Sequence, residues 1–163
     1  RGGSAGGLLV AASMDLDPEA FAGVIAEVPF VDVINSMLDP DLPLTVGEWE
    51  EWGNPALPEQ YAWMVDYSPY DNVPPAGRRP FILATGAVHD PRVMVHEPAK
   101  WVARLRATDP QQGAVEVPGR RGGVLLRVAL EEGSHGGAAG RYASLDEEAQ
   151  TQAVILAAMG ISG

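Results

Sequence analysis

Arg1-Gly2-Gly3-Ser4-Ala5-Gly6-Gly7 sets a Gly-x-Ser-x-Gly pattern at the start of the chain, and the reading of that stretch decides the fold. The pattern fits a sharp strand-to-helix turn that lifts a serine hydroxyl above the end of a sheet. Glycines suit such a turn because the backbone at the serine is strained and the following helix packs close, leaving no room for β-carbons. The turn needs a strand in front of it, yet only three residues precede Ser4. The expectation is therefore a C-terminal piece of a longer protein. A motif this short has to be decided by its context.

Downstream, helix-like and strand-like segments alternate, which is the pattern of an α/β fold. Gly6 to Met14 reads as a small-residue helix broken at Asp17-Pro18. Gly23-Val24-Ile25-Ala26-Glu27-Val28 is a short apolar run closed by Pro29, as expected of a buried parallel strand. Phe30 to Leu38 reads as a short helix or ordered loop, Leu44 to Asn54 as an acidic loop bearing tryptophans, and Pro58 to Asp66 as a helix. Phe81 to Thr85 is a second buried strand ended by Gly86. Glu97 to Thr108, with Trp101, Val102 and Leu105 between basic residues, is an amphipathic helix. Asp109 to Gly123, rich in Pro, Gly and Gln, reads as a surface insertion, and Val124 to Leu130 as a third strand. Ser144-Leu145-Asp146-Glu147 has capping-box spacing for a last helix reaching about Met159.

Composition narrows the function. With 46% hydrophobic and 20% charged residues, the 163-residue chain can bury a real core. A net charge of −11 argues against nucleic-acid binding, which needs a basic surface, and suits a cationic substrate. The basic pairs Arg78-Arg79 and Arg120-Arg121 sit among Pro and Gly and read as solvated loop charges. No apolar run is long enough to span a bilayer, so no membrane partner is expected. The absence of cysteine excludes disulfides, cysteine nucleophiles and Cys-ligated zinc, and is consistent with a cytoplasmic protein.

A serine nucleophile needs a base to take its proton and an acid to orient that base. In α/β-hydrolases they follow in the order Ser, Asp or Glu, His, on loops after the C-terminal ends of parallel strands. Three histidines make the search short. His135, in Gly133-Ser134-His135-Gly136-Gly137, lies just beyond the third strand, and Asp90, in His89-Asp90-Pro91-Arg92, just beyond the second. Ser4, Asp90 and His135 thus come in the order the fold demands. A metal reading fails, because His96-Glu97-Pro98-Ala99-Lys100 puts lysine where a zinc-binding helix needs its second histidine.

Longer blocks carry a family resemblance. Gly2-Gly3-Ser4-Ala5-Gly6-Gly7, Val28-Pro29-Phe30-Val31-Asp32-Val33, Gly47-Glu48-Trp49-Glu50-Glu51-Trp52-Gly53-Asn54-Pro55, Tyr67-Ser68-Pro69-Tyr70-Asp71-Asn72-Val73, Glu97-Pro98-Ala99-Lys100-Trp101-Val102-Ala103 and His135-Gly136-Gly137 run in order along the chain. Together they resemble the C-terminal catalytic part of the oligopeptidase B group in the prolyl oligopeptidase family of serine peptidases. The resemblance implies an α/β-hydrolase fold and cleavage of short basic peptides after Arg or Lys. It implies Ser4 as nucleophile, Asp90 as orienting acid, His135 as general base and the Ala5 N–H as one oxyanion donor. It also implies that Glu48 and Glu50 accept the cationic side chain, with Glu51 their unassigned neighbour, and that Arg92 contacts substrate backbone. No metal or organic cofactor is needed.

Against that family, residues 1–163 match only the C-terminal portion of the catalytic domain. The N-terminal β-propeller, the first hydrolase strands and the upstream tyrosine of the oxyanion hole fall outside the match. The isolated piece is therefore expected to be inactive or barely folded, with an apolar sheet edge left open. The rival readings are another α/β-hydrolase, such as an acylaminoacyl peptidase or an esterase, and a non-catalytic hydrolase-like fragment. The acidic residues Glu48 to Glu51 speak against the first, and the joint presence of Ser4, Asp90 and His135 against the second.

Overall fold

Apolar runs bounded by glycine and proline become the strands of a parallel sheet. The computed structural model describes residues 1–77, 79–109, 123–130, 135 and 141–161. Its four strands are β1 (Gly2–Gly3), β2 (Gly23–Glu27), β3 (Phe81–Ala87) and β4 (Val124–Ala129), in the spatial order β1-β2-β3-β4. Every pairing is parallel, with Gly2 opposite Ala26, Ala26 opposite Ala84, and Ala84 opposite Leu126. Parallel neighbours need a crossover, and helices supply it: α1 (Ala5–Leu16), then α2 (Val33–Leu38), α3 (Thr45–Trp52) and α4 (Pro58–Tyr67), then α5 (His96–Thr108). A last helix, α6 (Arg141–Ala158), follows.

Val24, Ile25 and Ala26 are buried in succession, as are Ile82, Leu83 and Ala84. Consecutive burial means that both faces of these strands are covered, as in an α/β layer structure. On one side Ala11 and Met14 of α1 and Trp101, Val102 and Leu105 of α5 pack on the sheet. A second apolar cluster joins Leu8 to Phe30, Val33, Met37 and Met64, so α2 and α4 rest on the start of α1. Arg1 bridges Glu27 and Glu148 at 2.8 and 2.6 Å, tying α6 to the first two strands. Its guanidinium holds the Glu148 carboxyl down at about 2.

Several elements depart from the sequence reading. Leu44 to Asn54 is mostly helix, not loop: the Trp49 and Trp52 indole N–H groups find acceptors at Met37 O and Glu48 Oε2 (both 3.0 Å), which secures the turn against α2. β3 runs through Gly86 to Ala87. Ser144 lies inside α6 rather than capping it, since the helix already begins at Arg141. Arg79 is not a solvated loop charge. It is 2% exposed, and its guanidinium donates to Leu105 O (2.7 Å), Pro74 O, Pro75 O (3.0 Å) and Thr108 Oγ1 (2.8 Å), closing the C-terminal end of α5. Arg78, Arg120, Arg121 and residues 110–122 of the expected insertion lie outside the described residues.

Candidate active site

Ser4 sits between β1 and α1 with φ 54° and ψ −120°, a left-handed conformation rare for a residue with a β-carbon. The surroundings enforce it. Ser4 N–H donates to Glu27 O at 2.9 Å, while Ser4 O accepts from Gly7, Leu8 and Phe30 N–H groups at 2.9 to 3.2 Å. A β-carbon on Gly2 would lie 2.1 Å from Gly6 O, and one on Gly7 would lie 2.6 Å from Pro29 Cβ. These two glycines carry the steric demand of the turn. Gly6, the last glycine of the motif, has open space at its β position among the described residues, so the crowding expected there is not found. A second strained residue lines the same cavity as Ser4: Val28, at φ 40°, directly follows β2 and donates its N–H to Thr85 Oγ1 at 3.2 Å.

Asp90 and His135 lie beyond the C-terminal ends of β3 and β4. Asp90, three residues past β3, is 2% exposed. Its Oδ1 accepts the Arg92 and Val93 N–H groups at 2.8 and 3.1 Å, which pins the carboxylate in an Asx-type turn. His135 Nδ1 lies 2.9 Å from Asp90 Oδ2 and 3.2 Å from Oδ1. A carboxylate accepts, so in this contact Nδ1 is the donor toward Asp90. His135 and Ser4 line one cavity of about 390 Å³, together with Thr85, Val28 and Arg127. Ser4, Asp90 and His135 are therefore brought to one end of the sheet, as the sequence order requires.

A second cavity, of about 130 Å³, runs from Ser4 and Ala5 to Glu48 and Glu51. Ala5 begins α1, and its N–H is among those that no intrahelical carbonyl can satisfy. The cavity's apolar wall includes Phe30 and Trp52, whose rings meet edge-on at 5.4 Å. Arg92 and Glu97 also reach it. Of the two glutamates the resemblance implies, Glu48 lines this cavity and Glu50 does not, while Glu51 does. On a helix, residues three apart lie roughly 60° apart, whereas residues two apart lie nearly opposite each other. Glu48 and Glu51 share a face of α3; Glu50 is exposed and is not in the cavity lining. Helical periodicity, had the segment been read as a helix, would have put Glu51 on the same face as Glu48.

Glu97 is the buried group that the sequence reading missed as a site residue. Burial pushes its carboxyl up to about 7, against the pull of hydrogen bonds from Asp32 N–H, Ser36 Oγ and Val31 N–H. Among the described residues no group of three or more His, Cys, Asp or Glu could hold a metal ion. No helix among them is long and apolar enough to cross a membrane.

Comparison with known proteins agrees with this architecture. Residues 1–161 match the Prolyl oligopeptidase family. Protease 2 of Moraxella lacunata is 44% identical over 99% of the chain, and dipeptidyl aminopeptidase BI of Pseudoxanthomonas mexicana 42% over 99%. Among solved structures, oligopeptidase B from Leishmania major is 42% identical over 95% of the chain, with a TM-score of 0.83. Oligopeptidase B from Trypanosoma brucei, with covalently bound antipain in a closed form, is 43% identical over 98% with a TM-score of 0.85. The chain spans only 22% and 21% of the two curated relatives, and 20% and 21% of the two structures. By family match, identity and fold, the chain belongs to the prolyl oligopeptidase family and carries part of an α/β-hydrolase domain.

Proposed function

We propose that the whole protein is a serine peptidase that cleaves short peptides after arginine or lysine. The observation that carries this reading is the second cavity, which joins Ser4 and Ala5 to the carboxylates of Glu48 and Glu51 past the rings of Phe30 and Trp52. An arginine side chain has matching chemistry: an apolar stem for the aromatic wall and a planar cation for the carboxylates. A blocked-peptide or ester pocket would have no use for two acids. Glu48 is the principal cation acceptor. Its Oε2 is already oriented by the Trp52 indole at 3.0 Å, so it loses little freedom on binding.

In the proposed reaction His135 Nε2 takes the Ser4 hydroxyl proton as Ser4 Oγ attacks the carbonyl carbon. Asp90 stabilises the imidazolium through Nδ1. The oxyanion is met by the Ala5 N–H, and a second donor from upstream in the polypeptide follows from the family resemblance. His135 then protonates the leaving amine, and water releases the peptide from the acyl-enzyme. Arg92, exposed beside the cavity, is placed in the proposal as a contact for substrate backbone. The remaining strands and the β-propeller are the partners the same polypeptide would supply.

The test is a set of matched chromogenic peptides with Arg, Lys, Pro or Phe before the scissile bond, each with a blocked or free N-terminus. Fast cleavage after Arg and Lys of blocked peptides, lost in Ser4→Ala, supports the reading. Preference for Pro or Phe removes the acidic subsite. A requirement for a free amine two residues upstream instead favours an activity like that named for the Pseudoxanthomonas relative.

A further inference from the structure

Glu97 plays no part in the proposed chemistry, yet it is 1% exposed, reaches the cavity beside Glu48 and Glu51, and has every neighbour arranged around it. It stands in the first turn of α5, and its partners lie on α2 and the segment before it. Oε2 accepts the Val31 and Asp32 N–H groups, both at 3.0 Å, and Oε1 accepts the Ser36 hydroxyl at 2.8 Å. α2 then holds α3: Thr45 Oγ1 donates to Ser36 O at 2.8 Å, and the Trp49 indole to Met37 O at 3.0 Å. α3 carries Glu48 and Glu51. A continuous hydrogen-bonded chain thus runs from α5 of the sheet layer to the acidic end of the cavity. The charges around it are accounted for: Asp32 pairs with Lys100, and Asn35 Nδ2 donates to Asp32 Oδ1 at 2.7 Å.

We propose that Glu97 is a positioning residue for the cation subsite, fixing α2, and through it α3, at the distance from Ser4 that an arginine side chain requires. The proposal rests on the cationic-substrate reading above. Glu97 acts by accepting three hydrogen bonds, not by binding the cation. Each of its oxygens is already engaged, so a guanidinium would have to displace a buried donor. Glutamine can do most of the same work. Its amide oxygen accepts the two N–H groups, and the Ser36 hydroxyl can turn to accept from the amide nitrogen.

The test uses the whole protein with the Arg and Phe peptides, measuring kcat and KM for E97A, E97Q and S36A. In E97A, KM for the Arg peptide is expected to rise at least tenfold and kcat to change less than threefold, with the Phe peptide affected much less. E97Q recovers most of that loss, and S36A, which removes one of the three bonds, raises KM for Arg about threefold. Should E97A not fold, E97Q and S36A decide the question between them. An unchanged KM for Arg in S36A and E97A overturns the proposal, as does an equal loss on both peptides. E97Q as impaired as E97A also overturns it and makes the charge itself the operative feature. A wild-type enzyme with no preference for Arg over Phe defeats the cation reading instead, and the two failures are told apart by that one control.

Discussion

Two carboxylates with buried oxygens, one at the start of α5 and one near the end of α1, contrast in a way that separates positioning from plain cost. Glu97, at the start of α5, meets three donors, and its residue is almost wholly enclosed. Asp15, near the end of α1, has both carboxylate oxygens buried with no hydrogen-bond partner among the described residues. Burial pushes the Asp15 carboxyl up to about 8, with only the distant Arg79 charge pulling it down. Arg79 turns its terminal nitrogens to backbone carbonyls and the Thr108 hydroxyl, and its buried Nε has no partner among the described residues. Three hydrogen bonds hold Glu97 lower, at about 7, even though Asp32 repels it. Both acids are expensive to ionise in place. Only one returns a fixed loop and a shaped cavity.

The largest effect expected is a gain. Asp15→Asn in the whole protein should stabilise the fold by about 3 kcal/mol at pH 8, roughly half the full linkage value because the residue as a whole is only partly buried. The Asp15 pKa is raised on folding, so its contribution to stability is intact below pH 4 and is lost as pH rises through about 8. The gain in Asp15→Asn should therefore vanish at pH 4, and urea midpoints at the two pH values check it. A loss of stability at pH 8 would break the contrast, since it would mean that a donor from elsewhere in the polypeptide pairs Asp15. Next comes Glu97→Ala, with a loss of about 2 kcal/mol at pH 7 in the same assay. It strands the Val31 and Asp32 N–H groups in the interior, where an unmade hydrogen bond costs more than a made one contributes.

At the level of the active site the contrast has a counterpart on α3. Glu48→Gln should raise KM for an Arg peptide about a hundredfold, Glu51→Gln about tenfold and Glu50→Gln less than threefold, read from initial rates. Glu48 and Glu51 face the cavity, and Glu50 faces away from their shared side. Equal effects of Glu50→Gln and Glu51→Gln would mean that the helix turns or unwinds when substrate binds.

These differences mark where sequence reading succeeds. β2 and β3 were legible because an apolar run between glycine and proline has few other uses, α1 because small residues follow the turn, and α5 because its apolar spacing is helical. That Ser4, Asp90 and His135 converge on one end of the sheet was legible because chain order and strand ends constrain where they lie. α3 was not: its residues are acidic and carry two tryptophans, and its stability comes from indole bonds to Met37 O and Glu48. That is tertiary information, as is the cage of carbonyls around Arg79. Glu97 looks in sequence like an acid placed to favour a helix N-terminus. Nothing in its neighbours announces that donors 61 to 66 residues away converge on it.

The smallest effect is the most informative about why the molecule keeps an acid at position 97. The Glu97 pKa rises on folding from 4.5 to about 7, so its stability contribution is complete below pH 4.5 and declines as pH climbs through 7. Glutamine does not titrate. Glu97→Gln should therefore match wild type near pH 4 and exceed it by about 1 kcal/mol at pH 8, less than the full linkage value because charge-assisted bonds become neutral ones. Urea midpoints from pH 4 to 8 give the answer directly. If the curves run parallel, the three donors fully compensate the buried charge, and Glu97 differs from Asp15 in cost as well as in purpose. If they diverge, the acid is held at a loss in stability for what its geometry does to the cavity, and partnering has changed what the charge is for without removing what it costs.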